Sequence, residues 1–238
     1  MPTRDPASTL GTPPSQLPAP GSTPRTRIRR LPEKAVPERD AAYAVLDEAL
    51  LVHLGLVGDQ NQPYVLPCGH ARDGDTLLLH GSSGSRLFRT ASSGAPVCAT
   101  ATLLDGLVYA RSLFESSMHY RSVMVLGRGH SISGPAKRRA LQVLSEKLLP
   151  GRSVDARGPN TKELAATSVL VLPLDEISLK VSAAPPADLT EDLDRPIWAG
   201  VIPLRLVAGV AVDAPDLIGE HQVPDYVMAH PLRTGDST

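Results

Sequence analysis

The pattern of apolar and polar positions changes twice along the chain. Residues 1–24 hold seven prolines among Ser, Thr and Gly and no apolar block. Such a texture cannot bury a core, and it predicts a disordered leader without the apolar centre of a secretory signal. A basic segment at 25–30 follows as a solvated arm. Pro37 then opens 38–50, where Tyr43, Leu46 and Leu50 stand at helical spacing. From Leu51 the chain turns to short apolar runs split by turn residues. Runs at 51–57, 64–70 and 76–80 are joined by Gly58-Asp59-Gln60-Asn61-Gln62 and Arg72-Asp73-Gly74-Asp75, which predicts an antiparallel three-strand meander.

At Gly81 the pattern breaks, and Gly81-Ser82-Ser83-Gly84-Ser85 leads into a short helix at 86–91. Strands are expected at 96–104, at 107–111 after a turn at Asp105-Gly106, and at 120–132. An amphipathic helix covers 135–148, with Pro135 near its first turn and Gly151 past its end. A loop rich in Gly, Pro and Arg at 150–161 precedes strands at 167–173 and 177–182. Connections are local and a βαβ repeat is absent. The fold class that follows is mainly β, a closed or partly closed antiparallel barrel with a few attached α-helices. The expected organisation is a leader at 1–35, a barrel domain at 36–182, a C-terminal extension at 183–212 packing on the barrel, and a loose tail at 213–238. Trp198, in the apolar stretch 198–212, is expected in the core.

Composition then narrows the partners. Of the 238 residues 42% are hydrophobic and 21% charged, enough for a sizeable core. Lys+Arg 24 against Asp+Glu 25 leaves a net charge of -1, and aromatics are 3%. Neither nucleic acid nor an acidic membrane is expected, since the chain offers no basic field and no base-stacking platform. No run approaches the roughly 18–20 apolar residues of a membrane helix. Cys68 and Cys98 are the only cysteines, without metal-like spacing, and read as reduced thiols of a cytoplasmic protein. The seven histidines show no close pairing of the zinc type, so no metal site is expected.

Two stretches could carry chemistry. At the strand-to-helix junction His80-Gly81-Ser82-Ser83-Gly84-Ser85-Arg86, glycines let backbone approach an anion. Ser82, Ser83 and Ser85 can donate hydroxyl hydrogen bonds, and Arg86 can grip two oxygens with its planar fork. The same stretch also reads as a loop whose Ser85 caps a helix. The Gly-Lys-Ser/Thr ending of a P-loop is missing. In the second stretch, Met118-His119-Tyr120-Arg121-Ser122-Val123, polar residues at a barrel mouth either orient a ligand or are ordinary edge residues.

The chain resembles the pyridoxamine 5′-phosphate oxidase-like superfamily of FMN-binding split barrels, and most of all its nitroimidazole-resistance-type flavin-nucleotide-binding branch. The matching stretches are Gln62-Pro63-Tyr64-Val65-Leu66-Pro67, Leu79-His80-Gly81-Ser82-Ser83-Gly84-Ser85-Arg86, Asp105-Gly106-Leu107-Val108-Tyr109-Ala110-Arg111-Ser112, Tyr120-Arg121-Ser122-Val123-Met124-Val125-Leu126-Gly127 and Trp198-Ala199-Gly200-Val201-Ile202-Pro203-Leu204. They occur in family order over roughly 38–210.

The resemblance implies that the strand bearing Val65, Leu66 and Pro67 passes along the flavin, mostly through backbone groups. It implies that Leu79, His80 and Gly81 border the ring, that Arg86 holds the FMN phosphate, and that Ser122 reaches flavin across a homodimer. Tyr120 and Arg121, beside it in the same motif, are implied to be cofactor-binding as well. Leu87 stands where the oxidases proper often carry a second basic residue, and His119 where this branch often has Asn. The Arg and His set that holds pyridoxamine phosphate has no counterpart here. The implied function is FMN-dependent oxidoreduction of a small organic molecule, with His80 either reactive beside the flavin or merely packed against it. The alternatives are a non-catalytic flavin or haem module, with His53, His70, His119 or His130 near the iron, and use of F420 in place of FMN.

Overall fold

A computed structural model describes residues 17–219 and 221–234. Alternation along the strands decides which side becomes core. In β2 (Leu51–Val57) Val52, Leu54 and Leu56 are buried while Leu51, His53 and Val57 are exposed. β2 pairs with β3 (Pro63–Asp73), β3 with β4 (Thr76–Ser82), and β2 also with β5 (Pro96–Tyr109). β5 pairs with β6 (Ser117–Arg128), and β4 with β8 (Thr167–Pro173). β6 is flanked by β9 (Glu176–Ser182), which takes the two-residue β1 (Ala35–Val36) on its far side, and β8 takes β7 (His130–Ser131). The resulting order is β1-β9-β6-β5-β2-β3-β4-β8-β7, with β10 (Gly200–Pro203) added to the end of β5, and every pair is antiparallel. This is the mainly β, antiparallel barrel that the strand pattern predicts, a split barrel as the resemblance implies.

The interior is aliphatic. Leu54, Leu77, Leu79, Ala99, Val123, Val125, Leu170, Leu172 and Leu179 meet there from six strands. α1 (Arg39–Glu48) closes one end by burying Ala42, Tyr43, Val45 and Leu46, and the Tyr43 hydroxyl donates to Asp75 Oδ1 at 2.6 Å. α2 (Arg86–Ser92) adds Leu87, Phe88 and Ala91 to the same core. α3 (Gly134–Leu148) lies outside, where Ala140 and Leu144 cover Ala71, Leu78, Val169 and Val171.

Four local expectations change. Asp105-Gly106 is no turn, because β5 runs on to Tyr109 and shifts register by a bulge between Leu104 and Gly106. A Cβ at Gly106 would lie 3.1 Å from the Ile202 carbonyl oxygen, so this glycine admits β10 rather than reversing the chain. The return strand is β6, and residues 130–131 leave it to pair with β8. A further helix, α4 (Thr161–Ala166), starts in the loop at 150–161, nucleated by a capping box between Asn160 and Glu163. Trp198 is 64% exposed, tilted against Tyr109 with ring centroids 5.7 Å apart.

Of the segment read as a leader, residues 1–16 lie outside the described residues. Residues 17–34 run against β9: Gly21 N–H donates to the Ile177 carbonyl at 2.8 Å, Thr26 is buried, and Arg25 pairs with Glu176. On the C-terminal side, the buried Asp188 carboxylate accepts from Arg111 Nη1 at 2.8 Å. α5 (Asp225–Met228) brings the Tyr226 hydroxyl to Asp155, to which it donates at 2.7 Å, and α6 (Pro231–Thr234) ends the described chain. Cys68 and Cys98 are free thiols. Among the described residues no helix is long and apolar enough to cross a membrane, and no group of three or more His, Cys, Asp or Glu could hold a metal ion.

His70 sets a pH limit on this packing. Its ring is 2% exposed, Nε2 bonds the Leu46 carbonyl at 2.8 Å, and Nδ1 has no partner. Burial lowers its pKa, the Leu46 carbonyl offsets part of that effect, and the weaker influences of Lys147 downward and Asp47 upward follow. A depressed folded-state value means the unfolded chain binds more protons below about pH 6.5. Stability should therefore fall as pH drops below about 6.5, and His70→Gln should flatten that slope. Denaturant midpoints measured from neutral to mildly acidic pH check both outcomes.

Candidate functional site

The end of the β2–β3 hairpin and the start of α2 enclose a pocket of about 250 Å³, lined by Leu56, Gly58, Tyr64, Leu66, Ser85, Arg86, Leu87 and Thr90. Its walls follow from alternation and helical spacing. Leu56 and Leu66 point inward from their strands, while Arg86 and Thr90, four apart on α2, share one helix face. Arg86 Nη1 donates to the Tyr64 hydroxyl at 3.0 Å, and the guanidinium sits 5.8 Å from that ring's centroid. Among the described residues Arg86 has no carboxylate partner. An unneutralised guanidinium at the edge of a mostly apolar pocket suits an anionic group.

The junction is ordered by its own backbone. Ser83 N–H donates to the Ala166 carbonyl at 2.8 Å, Ser85 N–H to the Ser82 carbonyl at 3.0 Å, and Gly84 N–H to Ser82 Oγ at 3.2 Å. Ser85 occupies the N-cap of α2, but its hydroxyl makes no cap bond and remains available at the pocket wall. A Cβ at Gly81 would come within 2.3 Å of the Phe88 ring. The bare backbone there is what lets α2 lie down on β4.

The opposite face of the same strands is uncovered. Val65 is 63% exposed, and Leu51, Val57 and Pro67 are also exposed. His53 stands between Pro67 and Thr100 on this face, exposed, and its ring has no hydrogen-bond partner among the described residues. The His80 ring lies over Gly69, whose Cβ would be 3.1 Å from its Cε1. Packing on that side desolvates the ring and lowers its pKa, although much of the residue stays exposed.

The expected site residues thus separate into groups. Leu66, Ser85 and Arg86 line the pocket, and Ser82, Ser83 and Gly81 build the loop that positions it. Val65, Pro67 and His80 belong to the exposed face, as does Ser122, whose hydroxyl lies 3.2 Å from that of Thr102. Tyr120 is half-buried beside Ser182 on β9. Leu79 is fully buried in the core. Arg121 is held by two carboxylates, Asp105 at 2.8 Å and Glu48 at 2.5 Å, which raise its pKa and leave its charge already balanced. Sequence reasoning passed over Leu56, Gly58, Leu87 and Thr90. Leu56 was legible as an inward strand position and Thr90 from its spacing to Arg86. Leu87 read only as a missing base, yet it is an apolar wall.

Residues 38–181 match the model of the pyridoxamine 5′-phosphate oxidase family. The chain belongs to that family. Among solved structures, it is 40% identical to the FAD and haem binding protein of Mycobacterium smegmatis, covering 82% of this chain and 96% of that one at a TM-score of 0.79. It is 35% identical to the flavocytochrome Anf3 of Azotobacter vinelandii, covering 89% and 98% at 0.82. A 5-nitroimidazole antibiotic resistance protein of Bacteroides thetaiotaomicron, 23% identical over 62% of this chain and 86% of that one at 0.53, shares the fold. A search of curated proteins gave no match. The family membership accords with the ordered motifs from Gln62 to Leu204.

Gly81→Ala should destabilise the protein by about 1–3 kcal/mol, the usual range for overpacking a filled core, because Phe88 and α2 must move. Thermal melts check this, and a Gly84→Ala control, whose Cβ would meet only Ser82 Oγ at 3.6 Å, should leave the melting point nearly unchanged.

Proposed function

We propose that this chain binds a flavin nucleotide, with the ribityl phosphate at Arg86 and the remainder of the cofactor along β3, and that it is a flavin-dependent oxidoreductase of a small organic molecule. The observation that carries the reading is the Arg86 guanidinium, free of any carboxylate partner, at the edge of the pocket between Tyr64 and Ser85. FMN and FAD both carry the phosphate that this arginine suits, so the geometry serves either. The M. smegmatis relative, named for FAD, favours the dinucleotide for this chain over the FMN expected from the motifs. A pocket of about 250 Å³ holds only part of such a cofactor. The rest needs a second wall, and the exposed face bearing Val65, Pro67 and Ser122 is the surface a homodimer would use.

The bound flavin would supply the electron transfer, and the chain's own residues would position it and keep water away. Leu56, Leu66 and Leu87 exclude water from the phosphate end. Ser85 offers its unused hydroxyl there, and Arg86, steadied by Tyr64, supplies charge. His80 stands near enough to the β3 backbone to contact the ring, and its lowered pKa keeps the imidazole neutral at pH 7.

A second cofactor is favoured by one further observation. His53 is an imidazole without a side-chain partner among the described residues, on a largely apolar, exposed sheet face, and it would hold the iron of a haem and tune its redox chemistry. Two relatives above 30% identity are named as a FAD and haem binder and a flavocytochrome. We therefore read the chain as a two-cofactor protein in which haem lies against His53.

Reconstitution with FMN, FAD and haemin, followed by visible spectra, tests both parts. Arg86→Ala should weaken flavin binding by about 1.5–3 kcal/mol, the range for a hydrogen bond to a charged group, while Lys162→Ala on the exposed α4 should change nothing. His53→Ala should abolish the Soret shift on haemin titration and spare the flavin spectrum. A wild-type protein that takes up neither flavin overturns the first reading, and an unaltered Soret shift in His53→Ala overturns the second.

A further inference from the structure

The exposed face carries a polar strip of which the flavin reading uses only Ser122 and the haem reading nothing. Cross-strand register sets Thr102, Ser122 and Lys180 in one row and Leu104, Tyr120 and Ser182 in the next. The Thr102 and Ser122 hydroxyls are 3.2 Å apart. Lys34, arriving from the segment before β1, donates from Nζ to Ser182 Oγ at 3.0 Å, and Lys180 Nζ donates to the Arg30 carbonyl at 3.4 Å. Both lysines are half-buried and Ser182 is buried. Two ammonium groups and the hydroxyls of Thr102, Ser122 and Ser182 are therefore gathered on one patch.

No carboxylate answers them. Among the described residues neither ammonium forms an ion pair. Glu176, four positions along β9 from Lys180, is already taken by Arg25 and by the Thr23 hydroxyl at 3.2 Å. Drawing two like charges partly out of water is unfavourable unless an anion balances them. A doubly charged group with several acceptor oxygens meets that need, since each ammonium and each hydroxyl can donate to it.

The strip is not an extension of the Arg86 site. From β9 to β3 is four strand steps, and Tyr64 lies several residues further along. At about 4.8 Å per step and about 3.3 Å per residue, the path along the sheet from Lys180 to Tyr64 is about 25 Å, and Lys180 shares the outer face with Ser122 whereas Tyr64 pairs with the inward Leu56. One phosphate cannot touch both.

We propose that Lys34 and Lys180, with Thr102, Ser122 and Ser182, form a second phosphate subsite that takes the phosphate group of an adenine-type nucleotide. The proposal rests on the flavin reading only for the choice of a nucleotide. The same chemistry has two sources: the adenylate half of FAD held at Arg86 of a facing copy, or a separate phosphorylated electron donor.

The test uses ADP as the probe, titrated by calorimetry into full-length Arg86→Ala protein so that the first anion site is silent. ADP should bind, adenosine should not, and Lys34→Gln with Lys180→Gln should weaken ADP at least about tenfold. Equal ADP affinity with and without the two lysines, or no ADP binding at all, overturns the proposal. Single variants Lys34→Gln and Lys180→Gln, each giving part of the loss, guard against a folding defect in the double variant. With Arg86 restored, a loss of FAD affinity but not FMN affinity in the lysine variants assigns the adenylate half. Unchanged FAD affinity with weakened NADPH binding assigns a separate donor. A wild type that binds ADP but no flavin would refute the flavin reading and leave this subsite standing.

Discussion

The contact between the Phe88 ring and the bare backbone of Gly81 fixes where α2 begins, and the pocket follows from it. Few large rings are available to this barrel: of eight aromatic residues, only Tyr43 and Phe88 are buried. Phe88 therefore acts as a wedge. It seats α2 against β4, buries Leu87 and Ala91 on the core side, and leaves Arg86 and Thr90 on the face toward Tyr64. A side chain at position 81 would lift that helix and carry the guanidinium away from the hairpin end. The chemistry proposed for Arg86 is in this sense a result of core packing.

The two faces of the sheet have different physical characters. The inner face is closed by aliphatic side chains from six strands and by α1 and α2. The outer face has apolar residues beside His53 and a polar strip around Ser122, and among the described residues Val65 and Leu51 stay exposed. Exposed hydrophobic area on central strands, rather than on an edge, points to a surface completed by something else. That something is a cofactor, a second copy, or both together in the proposal above.

Much of the architecture was legible because β2 alternates and β2, β3 and β4 are separated by Gly/Asp/Asn turns, so local rules sufficed. Where the reading slipped, a long-range partner overrode a local signal. Asp105-Gly106 looks like a reversal, but the arrival of β10 from nearly a hundred residues away turns it into a bulge. Trp198 was expected inside, yet the interior is already filled with leucines and valines, so the indole rests on Tyr109 at the surface. α4 was legible only to a search for the Asn-x-x-Glu cap. At the site, Arg86 and Ser85 were readable from the glycine and serine run. The separation of Arg121 from Arg86 was not, since nothing local says that Asp105 and Glu48 will meet at one guanidinium.

β3 places Leu66 at the pocket and Val65, the very next residue, on the outer face. Two unlike surfaces thus share one ribbon of backbone. A slip of a single position in the pairing of β2 with β3 would exchange their occupants and spoil both at once. The Gly58–Gln62 connection is consequently constrained in sequence and in register: a Cβ at Gly58 would lie 2.9 Å from the Tyr64 ring and Asn61 holds a left-handed φ of 59°, and lengthening that moves the strand by one step is forbidden, whereas growth that bulges outward from the hairpin tip leaves both surfaces intact.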